Sequence, residues 1–188
     1  MKRFIPGLLF FLFAGSLSAQ NVLFFQGEGN LIPLPGIGGP SWIGGSAGTN
    51  LLLYRTLIQT DIALFFGGMT VEDESGKKQN RLMLKVSDAL FASYTMFPGL
   101  GLRGGLSAGL GVYSAGLVNG FINIGLLAGV HILPESAVSW TVDIQPGYAL
   151  TFHYDTDNSN IFSAFSLGSH HGVVFPITAG VRLNFDRF

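Results

Sequence analysis

Cysteine is absent from this chain, which excludes disulfide bonds, thiolate metal sites and lipid attachment at an N-terminal cysteine. Charge is nearly as scarce: Asp, Glu, Lys and Arg make up 11% of the 188 residues, against about 25% in an ordinary soluble domain. The two signs almost cancel, at 10 basic and 11 acidic residues, and the basic ones are scattered, so nothing favours nucleic acid as a partner. Beyond the N-terminal segment there is also no run of about 18 apolar residues, the length that a spanning helix requires. Yet 48% of the residues are hydrophobic. Such a chain faces something other than water. Without a spanning helix, the structure that satisfies every backbone polar group in lipid is a closed β-barrel.

The N-terminus carries its own message. Lys2 and Arg3 precede an apolar run over 4–14, and Gly15-Ser16-Leu17-Ser18-Ala19 follows, the order of charged, apolar and small-residue regions in a secretory signal. The run is too short for a membrane anchor and contains Pro6 and Gly7. The expected organisation is a signal peptide over 1–19, cleaved near Ser18 or Ala19, and one barrel domain over 20–188.

Eight segments alternate with the period of two that marks a strand with unlike faces: 22–32, 42–54, 57–69, 81–96, 100–113, 121–133, 136–152 and 175–185. In the seventh, Val138, Trp140, Val142, Ile144, Tyr148, Leu150 and Phe152 oppose Ser139, Thr141, Asp143, Gln145 and Thr151, with Pro146 as a flaw on the apolar face. The fourth has a larger flaw. Asp88 shares a face with Leu82, Leu84, Val86, Leu90, Tyr94 and Met96, and a bulge or a shorter strand would restore the pattern. The eighth places Phe175, Ile177, Ala179, Val181, Leu183 and Phe185 on one face, and Phe188 falls out of phase with them.

Connections alternate as well. Candidate long loops at 33–40, 71–80, 116–120 and 153–171 exchange with short turns at Arg55, Pro98-Gly99 and Pro134-Glu135, the asymmetry between the extracellular and periplasmic ends of an outer-membrane barrel. Polar faces rich in Gly, Ser, Thr and Asn, with roughly one charge per strand, are too poor in charge to face water, where about 25–35% charged positions are usual. Turned inward, they fit an eight-stranded barrel just wide enough to be filled by side chains. Six charges fall on that inner face: Glu28, Asp61 and Asp143 against Lys85, Arg103 and Arg182. Three of each sign in a narrow lumen imply pairing, either as a rigid plug or as a selective path for a small solute.

Taken together, the signal segment, eight alternating segments, loop asymmetry and C-terminal aromatics resemble the small eight-stranded bacterial outer-membrane barrels, the group of OmpX, OmpW and the OmpA transmembrane domain. The likeness is architectural and covers 21–188. It implies an all-β, single up-and-down transmembrane barrel in the bacterial outer membrane, with lipids as its surroundings. It also implies insertion by the barrel assembly machinery, which would read a closing-strand signal over Val181, Leu183, Phe185 and Phe188. The role it implies is non-enzymatic, structural or in surface interaction through the loops, with an extracellular ligand or host factor left unidentified. Binding or passage of small hydrophobic molecules, as in the OmpW group, is the alternative.

Other chemistries find little support. Some outer-membrane barrels, the lipid A deacylase and palmitoyltransferase families, are enzymes, and His153, Asp155, Asp157, Ser169, His170 and His171 cluster near the fourth long loop. The His-x-Ser arrangement of the deacylases is not reproduced by His170-His171-Gly172, and no catalytic residue is assigned. Adjacent strand residues point to opposite faces, so His170 and His171 do not converge on a metal. The glycine-rich stretch 99–105 precedes no helix, so it makes no phosphate cradle, and no cofactor is expected.

Overall fold

The computed structural model describes residues 18–30, 40–52, 58–72, 77–114, 118–154 and 165–188. Ten β segments run through them: β1 (Ser18–Asn30), β2 (Ser41–Leu52), β3 (Ile58–Glu72), β4 (Lys78–Phe97), β5 (Leu100–Ser114), β6 (Val118–Ile132), β7 (Val138–Ile144), β8 (Gly147–Tyr154), β9 (Phe165–Val174) and β10 (Ile177–Asn184). A 3-10 turn, Phe185–Arg187, follows. Only Gln145-Pro146 separates β7 from β8, and only Phe175-Pro176 separates β9 from β10, so each pair is one wall strand and the wall has eight strands.

Every neighbouring pair is antiparallel, and β10 pairs with β1 to close the ring. The fold is therefore a closed, eight-stranded, up-and-down β-barrel, in which β9 alone, among the described residues, has a ladder on one side only. No helix among the described residues is long and apolar enough to cross a membrane.

Period-two patterning sets the two faces. On β5, Leu102, Leu106 and Leu110 point outward at 41%, 54% and 59% exposure, while Arg103, Ser107 and Tyr113 point inward at 4% each. Trp140 and Ile144 on β7 are also exposed, and Val181 and Leu183 lie on the same outward face of β10. The apolar side of the sequence is the outside of the barrel.

Pro146 and Pro176 interrupt their strands at one height. Ile144 pairs with Ile177 below the break and Gly147 with Val174 above it, and the Gln145 N–H donates to the Pro176 carbonyl at 2.8 Å across the gap. A proline has no N–H to give to the ladder, so two prolines side by side confine the loss to one place.

Several strand ends differ from expectation. The polar residues of 71–80 extend a hairpin rather than forming a loop throughout, since Val71 pairs with Gln79 and Glu72 with Lys78. The eighth strand starts at Phe165, ten residues before 175, so 153–171 is not one long loop. β6 begins at Val118, inside 116–120. The register of β4 passes through Asp88 without a bulge; its irregularity lies between Thr95 and Phe97 instead. Most of the expected signal peptide, 1–17, lies outside the described residues, as do the loop at 31–39 and the turn at Arg55. Ser18 and Ala19 pair with Leu52 and Leu51 on β2.

The closing strand ends at Asn184, whose Oδ1 accepts from the Asp186 N–H at 3.1 Å and caps the 3-10 turn. Side chains three apart eclipse in a 3-10 turn. That brings the ring of Phe188 back to within 5.9 Å of Phe185, centroid to centroid, and both are exposed.

Candidate functional site

The lumen holds the six charges Glu28, Asp61, Lys85, Arg103, Asp143 and Arg182, each buried. They form two groups at different heights. Nearer the short-turn end, Asp61 on β3 receives both guanidinium nitrogens of Arg182 on β10, at 2.6 and 2.8 Å, and the Asn50 amide at 2.7 Å. Arg103 on β5 bridges Asp61 and Asp143, the latter on β7 at 3.1 Å. Thr178 donates to Asp143 at 3.4 Å. Two arginines and two aspartates thus tie β3 to β7 and β10 on the far wall. Bidentate guanidinium–carboxylate geometry is directional as well as strong, so the network fixes the cross-section. Ring faces cover both cations, with Arg103 4.0 Å from the Phe91 centroid and Arg182 5.1 Å from that of Phe24.

The second group is nearer the long-loop end. Lys85 on β4 pairs with Glu28 on β1, and the Trp42 indole N–H donates to the same Glu28 oxygen at 2.8 Å. The ammonium stands 4.9 Å from the Phe65 ring and 5.3 Å from the Trp42 ring. Room for it comes from Gly109, where a Cβ would lie 2.9 Å from the Lys85 Cδ. Above the pair, Trp42, Phe65, Met69, Met83, Tyr113, Phe121, Ala149 and Val174 form one buried apolar cluster inside the barrel. Trp42 and Phe121 pack edge to face at 5.1 Å.

A cavity of about 20 Å³ remains between the two groups, bordered by Gln26, Glu28, Asp61, Arg103 and Asp143. Phe24, Ala63 and Leu127 also line it, and it has the size of a single water. At the short-turn mouth the lumen opens into a vestibule of about 240 Å³ lined by Gln59, Ser93, Thr95, His131, Ser139, Arg182 and Arg187, where His131 Nε2 lies 2.8 Å from Ser139 Oγ.

Parity in the sequence places all six charges inward. It also held, unread, the apolar plug: Phe65 and Met69 share parity with Asp61, and Trp42 shares it with Ser46 and Asn50. Of the residues that invited an enzymatic reading, Asp155 and Asp157 lie outside the described residues. His171 is exposed on the outward face, its Nδ1 3.0 Å from the Tyr148 hydroxyl. No cluster of three or more His, Cys, Asp or Glu able to hold a metal occurs among the described residues.

Several solved structures resemble the chain, two of them outer-membrane or surface proteins by description. Neisserial surface protein A matches with a TM-score of 0.45 and 15% identity over 89% of this chain and 99% of its own. A major outer membrane protein from Thermus thermophilus matches with a TM-score of 0.42 and 14% identity over 88% of this chain and all of its own, 100%. No protein-family model matches the sequence, and neither does any curated protein.

Proposed function

We propose that the chain is an integral protein of the bacterial outer membrane, exported by its N-terminal segment, with a closed interior and a non-catalytic role. Its work lies in envelope structure or in contacts made by the segments at its long-loop end. One observation carries this reading: the wall is apolar outside and ion-paired inside. Exposed Leu, Ile, Val, Phe and Trp cover the outward faces, whereas the charges that water would solvate are buried in pairs. A water-soluble barrel with this wall would expose an apolar surface far beyond the few hundred Å² that monomers tolerate. Insertion by the assembly machinery, guided by Val181, Leu183, Phe185 and Phe188, belongs to the same proposal.

Detergent-extracted protein tests it. The folded chain is expected to migrate differently before and after boiling, and to give no steady ion conductance in planar bilayers. Unchanged migration would sink the barrel-in-membrane reading; a stable conductance would sink the closed interior.

A second reading, binding of a small hydrophobic molecule, draws on an outward depression of about 560 Å³ between β1, β2 and β10, lined by Gly27, Gly29, Ile43, Phe175, Ile177 and Ala179. The glycines remove side chains from an otherwise full wall, and the hollow left is apolar. It favours binding at the wall over passage through the lumen, which the Asp61–Arg103–Arg182 network crosses.

A further inference from the structure

The short-turn mouth of the lumen is a place that the proposed role does not use. Its vestibule of about 240 Å³ has a floor: Arg182, buried at the base, is held to Asp61, and the four-charge layer beneath crosses the barrel. A compound that enters there is retained or turned back rather than passed on. The ladders of β10 with β1, β1 with β2 and β10 with β7 stand between the vestibule and the lipid side. Its occupant therefore arrives along the barrel axis, from water.

The lining selects the chemistry of that occupant. Arg187, exposed on the 3-10 turn after β10, makes no ion pair among the described residues. Asp61 takes two N–H groups of the Arg182 guanidinium, which carries five. Arg182, Arg103 and Arg187 all act on the half-buried His131 ring, opposed by Asp61, so positive charge prevails there. The hydroxyls of Ser93, Thr95 and Ser139 add donors, and Ser139 Oγ lies 2.8 Å from His131 Nε2. Glu135, exposed in the turn after β6, is the carboxylate of the lining, and Val22 and Pro134 are too little apolar surface for a hydrophobic ligand.

We propose that the vestibule binds the oxyanion group, phosphate or carboxylate, of a small soluble compound, with Arg187 and Arg182 as counter-charges. Planar guanidinium forks match such groups, and an unpaired one at a polar mouth is free to close on them. The proposal rests on the outer-membrane reading only for the compartment that supplies the compound. Calorimetric titration of inorganic phosphate into the detergent-extracted protein at low ionic strength tests it, with sodium chloride as the blank. Saturable binding is expected. Arg187→Gln should weaken it about tenfold, the scale of one charge-assisted hydrogen bond. Glu135→Gln should tighten it roughly twofold by removing a like charge. Lys78→Gln, at the other end of the barrel, should leave it unchanged. Glycerol 3-phosphate should compete, and dihexanoyl phosphatidic acid, the same group on acyl chains, should compete no better.

No saturable binding, binding indifferent to Arg187→Gln, or an equal loss in Lys78→Gln would each overturn the site. Stronger competition by the lipid would overturn the soluble source. Heat-modifiable migration of the same samples separates the two failures. If it is present while phosphate binding is absent, only the site is wrong; if it is absent, the membrane reading falls too.

Discussion

The two halves of the lumen solve one packing problem with different chemistry. Toward the short turns, four charges and their amide and hydroxyl partners lock opposite walls at fixed angles; toward the long loops, a cluster of aromatic and thioether side chains fills the same width around one ion pair. Charge networks are directional and intolerant of a missing member. Apolar clusters tolerate volume-conserving change and resist cavities. The contrast teaches that this interior is a core in the ordinary sense, turned inside out with respect to its surroundings only at the wall.

Asp61→Ala should show the contrast most sharply. It leaves Arg103 and Arg182 without their shared carboxylate, and a loss of about 3–5 kcal/mol is expected in denaturant unfolding from lipid vesicles followed by Trp fluorescence. A loss below 1 kcal/mol, on the order of a surface pair, would mean the network is not structural. Phe65→Leu, in the other half, should cost roughly 1–2 kcal/mol in the same titration, since the cluster closes partly around the smaller side chain. The Glu28→Gln, Lys85→Met pair should cost little, within about 1 kcal/mol, because it removes both charges together and keeps an acceptor for the Trp42 indole. A cost as large as that of Asp61→Ala would erase the difference between the halves.

Smallest of all should be deletion of Asp186, Arg187 and Phe188. Phe185 stays in place after the last strand, so the assembled, heat-modifiable fraction is expected to match the full chain. A deletion that abolishes assembly would move the closing signal to Phe188 and the ring pair it makes with Phe185.

The wall was legible because a barrel strand must alternate. Leu102, Leu106 and Leu110 against Arg103 and Ser107 declare their faces with no knowledge of their neighbours. Pairing partners for Asp61 were not legible, since they come from β5 and β10, far away in sequence. The plug escaped for a different reason. Phe65, Met69 and Met83 are apolar on a face read as polar, and hydrophobicity alone does not distinguish a side chain packed inward from one turned to lipid. Strand ends escaped because Gln79 and Asn80 look like loop residues, although hydrogen bonding continues past the apolar belt. Asp88 is visible in the sequence as an exception, but of the two remedies, a bulge or a shorter strand, β4 uses neither, since it runs unbroken over Lys78–Phe97. A bulge would have turned every later residue of β4 to the opposite face, and the unbroken alternation of Leu90 and Phe91 excludes it.

The aligned breaks at Pro146 and Pro176 have a mechanical consequence. Card folds along a score line because the line runs straight through it. Here two neighbouring strands are scored at one level, and on β9 the backbone ladder among the described residues is with β8 alone, while the Asn30 amide oxygen accepts from the Phe175 N–H at 2.9 Å at the crease itself. On the other side the crease is spanned by the unbroken β6, which pairs with β7 below it and with β8 above it. The four-charge layer beneath the crease braces β7 and β10 against β3, so the score line ends at a brace.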